Sequence, residues 1–276
     1  MTAGSPTAVD TARTYYNSDD ADTFYRTIWG GEDIHVGLYL DPADDIAAAS
    51  RRTVEQMETL VEVRPEDRVL DLGSGYGGAA RHLARAHGAS VSCLNLSEVE
   101  NERNRAMTRD QGLAELITVT DGAFEDLPFD DDAFDVVWSQ DAFLHSADRS
   151  RVIEEATRVL RPGGRIVFTD PMASDNADGD ALAPILARIQ LETMATPDFY
   201  RDALAAAGAI AVTFEDHGEH LPVHYGRVLD ELTDRESELH GTVSADYITR
   251  MKAGLKHWVD GGRAGNLAWG IFHARA

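Results

Sequence analysis

The run Val69-Leu70-Asp71-Leu72-Gly73-Ser74-Gly75-Tyr76-Gly77-Gly78 decides the fold. Its apolar half, with Arg68 before it, reads as a buried strand ending in a glycine-rich turn. The glycines permit a tight turn and let a ligand lie against bare backbone. The same spacing serves pyrophosphate-binding folds, so on its own it is a weak signal. Asp71 separates the readings, because an acid two residues before the first glycine repels a pyrophosphate and suits a ligand carrying an amino group. Asp71, Gly73, Ser74 and Gly75 are therefore the first candidate ligand contacts, against the plainer reading of an ordinary strand-to-helix turn.

Outward from this run, strands and helices alternate. Gly78–His87 reads as a helix closed by Gly88, Ser90–Leu96 as a strand, and Ser97–Glu100 as a capping box opening a helix to about Gln111. Strands follow at Leu116–Thr120 and Phe134–Ser139, then a helix from Asp148 to Leu160, a break at Arg161–Gly164, and a strand at Arg165–Thr169. Helical stretches at Ala181–Glu192, from Thr196-Pro197, at Val223–His240 and at Ser244–Val259 surround a strand at Ala209–Glu215, and a last strand covers Ala264–Ala274. Upstream, residues 1–10 read as a loose tail, a helix spans Ala21–Ile28 after Asn17-Ser18-Asp19-Asp20, and another covers Pro42–Val61. This pattern is a doubly wound α/β domain with a mostly parallel, seven-stranded, Rossmann-like sheet. Residues 1–62 form an N-terminal helical lid segment and 63–276 the ligand-binding domain, with a helical insertion near 181–260, all in one structural domain. The early and late helices together cover the carboxyl edge of the sheet.

Three further stretches carry candidate chemistry. A ribose-binding acid is expected ~20 residues after such a glycine loop, but Asn95 stands there, beside Leu96, which weakens the case for a nicotinamide cofactor. Asn95 also reads as a local turn former. In Gly122-Ala123-Phe124-Glu125, Phe124 is either a base-stacking ring or a core aromatic. Trp138-Ser139-Gln140-Asp141-Ala142-Phe143-Leu144-His145 lies at the end of a central strand, where open α/β sheets bind ligands. Packing does not require Gln140, Asp141 or His145 there, so Asp141 and His145 are candidate catalytic groups, against a helix cap and a surface histidine. Asp170 either orients His145 or caps a turn.

Composition narrows the partners. The 276 residues carry 48 acids against 25 bases, a net charge of −23, and only Lys252 and Lys256 are lysines. Such a field repels nucleic acid and anionic membranes, and a dense acidic surface stays hydrated in concentrated salt. A GC-rich genome explains the scarce lysines but not the excess of acids. The single cysteine, Cys93, excludes an internal disulfide. With no basic-then-apolar leader and no apolar run approaching ~18 residues, a cytoplasmic location is expected. Oligomeric state stays open between monomer and homodimer.

Together these pieces, with Leu160-Arg161-Pro162-Gly163-Gly164, resemble a class I S-adenosylmethionine-dependent methyltransferase. More closely, the chain resembles the sarcosine/dimethylglycine N-methyltransferases of glycine betaine synthesis. The residues that carry this likeness are Tyr15–Asp22, Phe24-Tyr25, Ile28–Tyr39, Trp138–Asp141, His257-Trp258-Val259 and Leu267–Gly270. The resemblance implies S-adenosylmethionine as cofactor, leaving S-adenosylhomocysteine, with contacts at Gly73, Asn95, Leu96, Ala123, Phe124 and Gln140. It implies an N-terminal helix closing over the site and a small amino acid as acceptor. Tyr16, Tyr25 and Trp29 then offer aromatic faces to a quaternary ammonium product. Gln140 is also a candidate for substrate contact. The substrate carboxylate needs a cation or several donors, and Arg227 is the candidate cation. No metal is implied. The rival readings are a methyltransferase for a sugar or natural-product hydroxyl, with His145 and Asp170 as a general base, and a cofactor-sensing binding protein.

Overall fold

A computed structural model describes residues 8–189 and 191–276. Its elements run α1 (Ala8–Tyr16), α2 (Asp19–Ile28), α3 (Ile46–Val61), β1 (Arg68–Leu72), α4 (Gly78–His87), β2 (Ser90–Asn95), α5 (Glu98–Asp110), β3 (Ile117–Asp121) and β4 (Phe134–Gln140). After a 3-10 turn at Phe143–His145 come α6 (Arg149–Arg158), β5 (Leu160–Thr169), β6 (Met172–Ala173), α7 (Gly179–Ile189), α8 (Pro197–Ala206) and β7 (Ile210–Asp216). The chain ends with α9 (His220–Asp234), α10 (Glu236–Leu239), α11 (Ala245–Arg263), β8 (Leu267–Ala268) and β9 (Gly270–Arg275).

Seven strands form one sheet in the order β3-β2-β1-β4-β5-β9-β7. The pairs from β3 through β5 are parallel, while β9 runs antiparallel to both β5 and β7. Alternate side chains fill two cores: Leu70, Leu72, Val137 and Phe168 lie on one face, and Val69, Val136, Trp138 and Val167 on the other. The strand order reverses between β1 and β4, so a crevice opens beyond their carboxyl ends, at Gly73 and Gln140.

Local chemistry sets the helix starts. Ser18, Asp45, Ser97, Thr196 and Ser244 each accept a hydrogen bond from the backbone N–H three residues on. A third core joins Phe24, Ile28 and Trp29 of the N-terminal segment to Leu221 and Tyr225 of α9 and Leu255 and Trp258 of α11. The early and late helices therefore pack as one cap on the crevice.

Several boundaries differ from the sequence reading. Residues 8–10 are helical within α1, and residues 1–7 of the expected tail lie outside the described residues. The helix expected from Pro42 starts at Ile46, because the Asp45 cap fixes its first turn. Arg161–Gly164 does not interrupt the chain between a helix and a strand: Leu160 already pairs with Phe134, and a register shift absorbs the glycines. The last helix runs on to Arg263, and the last strand divides into β8, which pairs with β6, and β9. Among the described residues no helix is long and apolar enough to cross a membrane.

Candidate active site

Two small pockets lie over the carboxyl ends of β1, β2 and β4. One is walled by Asp71, Ser74 and Gly78 of the glycine loop and by Asp33 and His35 of the segment after α2. Asp71 is 3% exposed. Burial pushes its carboxyl up to about 7, with His35 opposing the rise and Asp33 adding to it. The Ser74 side chain reaches the buried Cys93 thiol. Gly73 has a φ of 74°, and a Cβ there would sit 2.3 Å from that of Ala142, so the position admits only glycine. Trp138 Nε1 donates to Gln140 Oε1 at 3.0 Å, which turns the Gln140 amide nitrogen towards His35 Nε2, also at 3.0 Å. His35 Nδ1 lies 3.1 Å from the Val36 carbonyl oxygen, and the pKa of the ring is raised, the effect of burial being outweighed by the Asp33 carboxylate.

The second pocket is lined by Asn95, Leu96, Ala123 and Phe124, with Gly73, Gly75 and Gln140 at the border with the first. Phe124 meets Phe143 edge-on at 5.9 Å, so it is both a wall and a core contact. Asn95 does not offer its amide freely: Nδ2 donates to Glu100 Oε2 at 2.9 Å. The expected capping box is thus half made, with Ser97 capping the Glu100 N–H while the Glu100 carboxylate turns to Asn95. Glu100 is 4% exposed, and burial pushes it up to about 7.

Beyond the second pocket lies a cavity of about 530 Å³, and Tyr16, Asp141 and His145 line both. Its walls are aromatic: Tyr25, Trp29, Tyr225, Tyr247 and Trp258 all face it. Tyr16 stacks on Tyr25 with centroids 5.8 Å apart, Trp29 lies 5.3 Å beyond Tyr25, and Tyr225 stacks on Trp258 at 4.7 Å. The Tyr16 hydroxyl and His145 Nε2 are 2.8 Å apart at the seam. Asp141 sits in the left-handed region, with φ at 51°. Its Oδ1 accepts from Thr169 Oγ1 at 2.7 Å and Trp269 Nε1 at 2.8 Å, and its Oδ2 from the Val36 N–H at 2.7 Å.

Residues 70–168 match the family model of the methyltransferase domain. Over 269 residues the chain is 60% identical to a sarcosine/dimethylglycine N-methyltransferase of Halorhodospira halochloris, covering 97% of this chain and 96% of that one. The chain belongs to the sarcosine/dimethylglycine N-methyltransferase family. It is 62% identical to a glycine/sarcosine/dimethylglycine N-methyltransferase of Actinopolyspora halophila, covering 98% of this chain but spanning only 48% of that protein's length. A solved Galdieria sulphuraria structure, provisionally described as a sarcosine dimethylglycine methyltransferase, superposes with a TM-score of 0.89 at 44% identity, covering 95% of this chain and 98% of that one. The fold is thus that of an S-adenosylmethionine-dependent methyltransferase, and S-adenosylmethionine is its cofactor.

The pockets of this methyltransferase fit that cofactor: a buried acid suited to an ammonium and a backbone cradle in one, an aromatic and apolar slot in the other. All nine candidate cofactor residues line these two pockets, and Tyr16, Tyr25 and Trp29 line the cavity. Arg227 does not belong to this set. It lines none of the three spaces and points to Asp230, with Nη1 3.8 Å from Oδ2. Asp170 does not orient His145. It accepts from the Leu144 N–H at 3.0 Å and the Tyr200 hydroxyl at 2.7 Å, and so caps the 3-10 turn. The sequence reading missed His35 and Glu100 as pocket residues. A polar residue that turns inward within an apolar frame leaves no trace in periodicity.

Proposed function

We propose that this methyltransferase transfers methyl groups to the nitrogen of sarcosine, of N,N-dimethylglycine or of both, ending in glycine betaine. The observation that carries the reading is the aromatic cavity joined to the cofactor pockets through Tyr16, Asp141 and His145. Aromatic faces attract positive charge without acting as proton acceptors. They therefore favour the charge that grows on nitrogen as it is methylated, whereas a carboxylate would hold the amine protonated and unreactive. When bound, S-adenosylmethionine supplies the methyl group carried on its sulfonium and is left as S-adenosylhomocysteine.

The residues of the chain have three tasks in this reading. Asp71, Ser74 and the backbone at Gly73 and Gly75 hold the amino acid end of the cofactor, Asn95 with Glu100 the ribose, and Leu96, Ala123 and Phe124 the base. Gln140, pinned by Trp138, stands between the two ends. The Tyr16–His145 pair takes the proton that the zwitterionic amine must lose before its lone pair can attack. Asp141, committed to three protein donors, positions the lid and takes no proton. The excess of acids and the buried, unbridged Cys93 support work in the cytoplasm of a cell exposed to salt, where betaine is a compatible solute.

Incubation with methyl-labelled S-adenosylmethionine and either sarcosine or dimethylglycine tests the reading by mass spectrometry. Label in dimethylglycine or in betaine from at least one acceptor is the expected result. Label in neither, with turnover on a sugar or natural-product hydroxyl, overturns it. Tyr16→Phe and His145→Gln should lower kcat at least about tenfold, with the loss greatest at low pH, where the amine is most protonated.

A further inference from the structure

The Tyr16–His145 pair takes its geometry from the 3-10 turn that carries His145, and that turn is held from behind. Two peptide planes flank Leu144, and the second leads directly into the Cα of His145. The Leu144 N–H donates to Asp170 Oδ1 at 3.0 Å, and the Leu144 carbonyl accepts from Arg149 Nη2 at 2.8 Å. Both planes are therefore fixed. With them is fixed the direction from which the His145 ring reaches the Tyr16 hydroxyl, 2.8 Å from its Nε2.

The holding groups come from three elements. Asp170 follows β5, Arg149 opens α6, and Tyr200 of α8 donates to Asp170 Oδ2 at 2.7 Å. Asp170 and Tyr200 are fully buried, and Arg149 is 7% exposed. None of the three lines the cavity or either small pocket, so they reach the site only through the turn.

Arg149 is the unusual member. Among the described residues its acceptors are all neutral: the Leu144 carbonyl, the Thr193 carbonyl at 2.8 Å and Thr193 Oγ1 at 3.2 Å. Its buried Nε has no acceptor among them. A buried charge held without a counter-ion costs free energy, and the first turn of a helix disfavours a cation. Stability alone therefore does not account for this guanidinium. What it supplies is geometry, because it ties the His145 turn to the segment after α7, where Ile189 and Leu191 line the cavity.

We propose that Arg149 is a positioning residue for methyl transfer: with Asp170 and Tyr200 behind the same turn, it sets the Leu144 peptide so that His145 meets Tyr16. The inference rests on the proton-accepting role given to the Tyr16–His145 pair above. A residue that acts only through His145 has nothing left to act on once His145 cannot take a proton.

The test is a double-mutant cycle in kcat, measured at saturating S-adenosylmethionine with the better acceptor of sarcosine and dimethylglycine. Arg149→Met removes the donors and keeps an unbranched chain. It should lower kcat roughly tenfold, with the loss greatest at low pH as for His145→Gln, and leave the acceptor KM and the Kd for S-adenosylhomocysteine within about threefold of native. Added to His145→Gln, it should lower kcat by less than about twofold further. Arg149→Lys, which keeps one donor for the Leu144 carbonyl, should recover part of the loss. Tyr200→Phe removes one hydroxyl and almost no volume, and carries the same cycle should Arg149→Met not fold. Its loss should be about fivefold and should also vanish in the His145→Gln background. Losses that multiply in the double variants, or that are equal at every pH, overturn the proposal and leave Arg149 a packing residue. So does native kcat in both Arg149→Met and Tyr200→Phe. Native kcat in His145→Gln overturns it together with the proton assignment, whereas a slowed His145→Gln with multiplying losses overturns the positioning alone.

Discussion

Asp71 is a carboxylate that burial holds near pH 7, far above its ordinary value, while it faces the pocket assigned to a cationic amino group. The direction of the consequence follows from linkage. Below about pH 7 the cofactor-free acid carries a proton, and pairing with an ammonium requires the anion, so binding must expel that proton. Affinity for S-adenosylhomocysteine should be constant above pH 7 and fall by up to about tenfold per unit below it. Titrations between pH 5.5 and 8.5 measure this. Asp71→Asn should bind roughly tenfold or more weakly at pH 8 and lose the slope. A native profile that is flat across this range removes the ammonium assignment. That Asp71 lines this pocket was legible because its place beside the glycines carries chemical meaning. Arg227 was misread because its helix and charge were visible while its direction was not, and helix periodicity alone does not say which space a side chain enters.

The segment between α2 and α3 carries His35, Val36 and Asp33, yet it has no regular structure of its own. It is held from outside. Asp141 accepts from the Val36 N–H, Ser50 Oγ and Thr53 Oγ1 donate to the carbonyls of His35 and Val36, and Arg81, fully buried, donates to Glu32. Asp141→Asn tests this anchoring. The amide oxygen can keep the Thr169 and Trp269 donors, and the amide nitrogen then faces the Val36 N–H, donor against donor. Hydrogen exchange over residues 30–40 should speed up, while exchange in β4 and β5 changes little. The kcat/KM for dimethylglycine should fall about tenfold with the shape of its pH profile unchanged. A lost or shifted pH limb, with normal exchange in the segment, would make Asp141 a proton acceptor instead. The alternation of strands and helices, the capped helix starts and the glycine turn were all legible, because they are local. The anchoring was not, because each of these bonds joins residues distant in sequence. α1 went unread although Asp10 stands in its first turn, and in the fold it packs on α2 and the 3-10 turn.

At the scale of the whole molecule, the deciding quantity is the net charge of −23. Every Arg and Lys could pair with an acid and still leave 23 carboxylates without a base. Such pairs do occur widely on the surface, for instance Arg201 with Asp198 and Lys256 with Asp260. Exposed pairs contribute only about 0–1 kcal/mol each, and salt weakens them. The unpaired carboxylates repel one another over many distances at once, and salt weakens that too. The Debye length shrinks from about 30 Å at 0.01 M to about 3 Å at 1 M, so repulsion between separated acids is lost first, whereas contacts near 3 Å are lost least. Relief of repulsion therefore outweighs loss of attraction, and the folded state gains because the unfolded chain spreads the same charges further apart. Thermal melts from 0.02 to 1 M potassium chloride should show a rising Tm, with a total gain of roughly 5 °C or more for a chain of this size. Most of the gain should come below about 0.5 M, where the Debye length changes fastest, and sodium chloride should give the same curve. A curve that climbs only above that concentration would reflect ion exclusion from the surface instead of screening. A Tm that falls with added salt would mean that the ion pairs, and not the unpaired acids, dominate the electrostatics of this fold.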